Sequence, residues 1–88
     1  MDSLIDEALE TLTLIFMDLV QATRDLPPPG LSGEAMIQRA KVVTSVIAVG
    51  VALRRLVLRP AKTRAALQSA EDKVSVAQGR VSAEQAKA

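Results

Sequence analysis

The chain has no histidine, cysteine, tryptophan or tyrosine, and Phe16 is its one aromatic residue. Each absence removes a class of function. Without cysteine there is no disulfide framework, and without cysteine or histidine no Cys/His zinc site. A Ser-His-Asp triad or a Cys–His dyad lacks its base. A single ring gives almost nothing on which nucleic-acid bases could stack. The remaining polar groups offer little chemistry. Asp6 and Glu10 lie one helical turn apart and could share a cation, but such a pair is ordinary on a solvated acidic face, and metal sites need more convergent ligands. Thr44 and Ser45 sit in an apolar stretch with no base nearby and read as hydroxyls bonding back to helix carbonyls. Gly30 and Gly33 follow prolines rather than a strand, so no phosphate-cradling loop is present. The residues point to a non-enzymatic protein with neither cofactor nor metal.

What is abundant is aliphatic. Of 88 residues 49% are hydrophobic, carried by 14 Ala, 11 Leu, 10 Val and 4 Ile. A chain this short forms one domain and buries only about 60% of its unfolded surface, so without a staple it needs an efficient core or a partner chain. The start, Met1 to Glu7, is acidic where a signal peptide would be positive, which makes the cytoplasm the expected location. Val42–Leu58 tests for a membrane span. Its uncharged part, Val42–Leu53, is 12 residues, about 18 Å as a helix against a hydrocarbon core of about 30 Å. Extending it to Leu58 takes in Arg54 and Arg55, at about 2.5–3.5 kcal/mol each near the centre of a bilayer. A buried helix is the better reading, and a membrane role is disfavoured.

Periodicity predicts three helices. The first covers about 3–25: Ser3 and Asp6 resemble a capping box, and Ile5, Ala8, Leu12, Ile15, Leu19 and Ala22 recur at spacings of 3 and 4. Pro27, Pro28 and Pro29 end it and form a stiff linker over about 26–32. The second runs from about 33 to 58 or 59, with Ser32 as its cap and Glu34 in its first turn. Its many β-branched residues would also suit a buried strand, but a pattern of about 25 residues without a hairpin signal decides for helix. Val42, Val46, Val49, Leu53 and Leu56 form one seam, while Ala40, Val43, Ile47 and Val57 cover much of a second face. A third line, Ser45, Ala48 and Ala52, is small enough for close helix approach. After Pro60 a weaker helix is expected over about 61–86, on a seam of Leu67, Ala70, Val74, Ala77 and Val81. Gly79 interrupts it, and fraying beyond about Gln78 is expected unless it packs on something. The expected core is Ile5, Leu12, Ile15, Phe16, Leu19, Val43, Val46, Ile47, Val49, Leu53 and Leu56.

A net charge of +1 hides a strong asymmetry. Residues 1–34 hold seven acids and one base, a net −6, and residues 35–88 hold ten bases and three acids, a net +7. Arg54, Arg55, Arg59, Lys62 and Arg64 fall within eleven residues around Pro60. The cluster suits phosphate contact, with bidentate arginines and a salt-dependent affinity. It equally suits the carbonyl end of the second helix, or pairing with the acidic first helix in the same or a neighbouring chain. No base-reading element accompanies it.

The expected fold is therefore all-α: two long antiparallel helices joined by a Pro-rich turn plus a weaker third, with the bundle completed by oligomerisation. The expected function is a self-associating interaction module, its oligomer interface formed by Ile5, Leu12, Ile15, Leu19, Val42, Val46, Val49, Leu53 and Leu56. Arg54, Arg55, Arg59, Lys62 and Arg64 would contact phosphate or an acidic partner. The alternative is a sequence-nonspecific nucleic-acid accessory; small helical subunits that assist viral DNA packaging look alike in general architecture, a likeness without a diagnostic motif. A third possibility is a regulator that buries one of the first two helices in a larger protein.

Overall fold

A computed structural model of the chain describes residues 2–87, with side chains described from residue 4 onward. Three helices follow one another: α1 (Asp2–Asp25), α2 (Gly33–Leu58) and α3 (Arg64–Lys87). The described residues contain no strand. The helices run up, down and up in a rod of 49 × 18 × 16 Å.

Local chemistry sets the boundaries. α1 gives out at Asp25, where three prolines remove three backbone donors. It already includes Ser3, so that residue is not its cap; the Ser3 side chain lies outside the described ones. Ser32 caps α2 as expected, its hydroxyl accepting from the Ala35 N–H at 3.1 Å. At the other end Arg59 is extended (φ −70°, ψ 137°), the conformation that a following proline imposes. α3 does not begin at Ala61. Thr63 supplies the better cap, its Oγ1 accepting from the Ala66 N–H at 3.1 Å, and leaves 59–63 as a short irregular link. α3 then continues unbroken through Gly79 to Lys87, past the Gln78 point where fraying was expected. Val81 is buried in that stretch, which is the packing that fraying would have lacked.

The core is a long layered seam. α1 contributes Leu9, Leu12 and Leu19; α2 contributes Val42, Val46, Val49, Leu53 and Leu56; α3 contributes Ala70, Val74, Ala77 and Val81. Spacings of 3 and 4 along α2 and α3 make this the expected seam geometry. Small residues on α3 let it lie close to α2. Ile5, Ile15 and Phe16 are half-buried at the margin. Two expected core residues are not in the core: Val43 and Ile47 are exposed, Ile47 at 59%. Ile47 lies on the side of α2 that looks away from α1 and α3, and Val43 lies at the margin, two turns before Gly50 on the same side of the helix.

Two contacts fix how α2 is turned about its axis. Phe16 rests on Gly50, and a Cβ built at that glycine would lie 2.8 Å from the ring's Cζ. Ser45, the one buried polar residue among those described, donates from Oγ to the Lys41 carbonyl at 2.8 Å. Its Oγ also accepts from Arg80 Nη1 of α3 at 2.6 Å, so the hydroxyl is satisfied in both roles. The same arginine nitrogen donates to the Lys41 carbonyl at 3.2 Å. At the linker end Arg39 donates to the Pro27 carbonyl and stands 3.9 Å from Glu84, which accepts from Lys87 at 3.0 Å. These bonds tie the linker, α2 and the last turns of α3 together.

Two substitutions test this packing. Val49 is fully buried, so Val49→Ala is expected to lower stability by about 2 kcal/mol through lost burial and a small cavity, read by urea unfolding. Gly50→Ala gains about 1 kcal/mol of helix propensity but overpacks Phe16 at a cost of about 1–3 kcal/mol. It should be neutral to destabilising in the native chain and stabilising in a Phe16→Ala background. The same sign in both backgrounds would remove the close approach from the account.

Candidate interaction surfaces

α2 carries two heptad seams on opposite sides. The inner one, Val42, Val46, Val49, Leu53 and Leu56, is the bundle core. The outer one is Ile37, Ala40, Thr44, Ile47, Val51, Arg54 and Leu58, at spacings of 3, 4, 3, 4, 3 and 4. Every member of the outer seam is exposed. The large members are well exposed, Leu58 to 70%, and Met36, Val43 and Val57 flank them. Scattered apolar residues on a surface are normal; a continuous stripe along a 26-residue helix is not.

In this arrangement the residues expected at an oligomer interface lie within one chain. Leu12, Leu19, Val42, Val46, Val49, Leu53 and Leu56 are buried inside one chain, and Ile5 and Ile15 are half-buried beside them. Those nine residues are engaged in holding the three helices together. Much of the apolar surface that remains available is on the other side of α2, together with its border on α3. There the line of small residues opens a cleft of about 400 Å³. Ala48 and Ala52 line it from α2 beside Ile47 and Val51, and Ser69 and Lys73 line it from α3. Ser45 belongs to the same small-residue line but faces inward, to Arg80.

The basic cluster is gathered at one end of the rod. Arg54 and Arg55 lie in the last turns of α2, Arg59 and Lys62 in the link, and Arg64 opens α3. Arg54, Arg55, Arg59 and Arg64 are exposed and Lys62 is half-buried. Arg55 and Arg59 line the basic end of the cleft. The up-down-up topology brings the acidic start of α1 to that same end, where Leu4 and Ile5 border a depression shared with Arg64 and Glu71. Even so, among the described residues no ion pair joins an α1 carboxylate to the cluster.

α1 has an outer face of its own, on Glu7, Glu10, Leu14, Met17 and Gln21 at spacings of 3, 4, 3 and 4, all exposed. Leu14 and Met17 are each 60% exposed. Asp6, Asp18 and Asp25 are exposed as well. The sequence reading passed over this stripe because the stronger seam on the inner side of α1 accounted for the helix. Its signal was the repeat of 3 and 4 through Leu14 and Met17, two large apolar residues that the inner seam leaves out.

Among the described residues no group of three or more acidic side chains converges as a cation site. Nor does any helix among them have the length and apolarity to cross a membrane. No family model matches this chain, and neither the curated proteins nor the solved structures contain a match to it.

Proposed function

We propose that this chain is a non-enzymatic helical module that works by self-association. The observation that carries the reading is the outer seam of α2, a full-length heptad stripe exposed to water on a helix whose opposite side already holds the core. Burying apolar surface is worth about 25 cal/mol per Å², and a rod only 18 × 16 Å in cross-section has no further layer with which to bury it. A partner helix laid along the seam would close the bundle as knobs pack into holes. The basic end, outside the core, then acts as a contact surface displayed by the assembly.

The test separates fold from assembly. Ile47→Asp places a carboxylate in the middle of the outer seam and leaves the core untouched. Helicity by circular dichroism should match the wild type, while mass by sedimentation velocity falls to the 9.4 kDa monomer. An Ile47→Asp protein that keeps the wild-type mass, or a wild type that is monomeric at every concentration, contradicts the reading.

The cluster at 54–64 favours a second reading, a sequence-nonspecific nucleic-acid accessory. Five bases at one end of each rod become many when rods assemble, and multivalency makes individually weak phosphate contacts effective. Fluorescence polarisation with duplex DNA should then show binding at low salt that is lost steeply as salt rises. The double variant Arg59→Glu, Arg64→Glu should reduce that slope; flat polarisation at low salt rejects this reading alone.

A further inference from the structure

We infer that the surface covering the outer seam of α2 is the outer face of α1 from a second copy of this chain, in a head-to-tail contact. This deepens the self-association reading and rests on it. Three observations converge on the occupant.

The first is charge. The outer side of α2 and its border with α3 are mostly basic, with Arg54 and Arg55 at one end and Lys73 and Arg80 against the single Asp72 along the flank. Pairing α2 with α2 would therefore bring two basic helices together with few acids between them. Pairing α1 with α1 would oppose carboxylates. The α1 face against the α2 face is the pairing in which opposite signs meet along the rim.

The second is pattern. The α1 face has two acids toward its N-terminal end, Glu7 and Glu10, then an apolar pair, Leu14 and Met17. The α2 seam, read in the opposite direction from Leu58, has a basic residue and then an apolar pair, Arg54 followed by Val51 and Ile47, with Arg55 beside it. The order matches in antiparallel alignment, the sense that α1 and α2 already have within one chain.

The third is register. Within the chain Phe16 lies against Gly50. A second α1 placed within one to two residues of that level on the far side of α2 would set Met17 opposite Ile47, Leu14 opposite Val51, Glu10 opposite Arg54 and Glu7 opposite Leu58. Two apolar pairs and one acid–arginine pair then meet. Because each copy offers one face and receives on another, the contact is heterologous, and it either closes into a ring or continues as a filament.

Charge reversal on each side tests it. Glu7→Arg with Glu10→Arg makes one protein, and Arg54→Glu with Arg55→Glu another. Each alone should self-associate at least about tenfold more weakly than the wild type at low salt, with helicity retained. Mixed in equal amounts, they should associate again as alternating copies, because each now supplies the face that the other can receive. Wild-type association by the Glu7→Arg, Glu10→Arg protein would overturn the contact while leaving self-association intact, since an α2–α2 interface does not involve those positions. Absence of recovery on mixing overturns it equally. A monomeric wild type would instead remove the reading on which the inference rests.

Discussion

α2 buries Val42, Val46, Val49, Leu53 and Leu56 while its far side leaves Ile37, Ile47, Val51 and Leu58 in water, in a bundle with no fourth helix to cover them. The other features of the molecule follow from that demand. α1 and α3 lie against the inner seam along its length, and α3 uses alanines where a closer approach is needed. The linkers stay short, and the polar locks at Arg39 and Arg80 sit where α2 meets its neighbours. The three helices cover one of the two seams of α2 and leave the other in water.

Much of the fold was legible because its signals are local. Three successive prolines can only end a helix, Ser32 is a cap by its chemistry, and the seam at Val42, Val46, Val49, Leu53 and Leu56 follows from spacing. The start of α3 was misplaced because Pro60 is comfortable in a first turn, and Thr63 three residues later simply caps better. Ile47 and Val43 were assigned to the core for a deeper reason. Periodicity reveals stripes, yet on a helix with two apolar stripes it does not say which one turns inward. The bonds from Arg80 to Ser45, and from Arg39 to Pro27, join residues far apart in sequence and had no local trace.

The separation of charge acquires a spatial meaning in the fold. Up-down-up topology returns the acidic start of α1 and the basic end of α2 to the same end of the rod, so the asymmetry lies across the bundle rather than only along the chain. Opposite charges gathered at one end of the rod and, among the described residues, not joined as ion pairs are poor sources of stability, since exposed pairs contribute about 0–1 kcal/mol each. They are better suited to orienting an approaching surface, where sign and spacing reject a wrong alignment.

A helix with two comparable apolar sides faces an ambiguity that an ordinary amphipathic helix does not: it could fold inside out. Half a turn of α2 would carry Arg54 and Thr44 inward and Val42 and Val49 to the surface. Gly50 and Ser45 break that tie. The glycine is a notch that only one orientation presents to Phe16, and the hydroxyl is a latch that only one orientation brings to Arg80. Arg54 adds the opposing term, a charge that resists burial on the wrong side. Two small residues and one arginine thus favour the native orientation of α2 over its mirror in polarity, alongside the fully aliphatic inner seam.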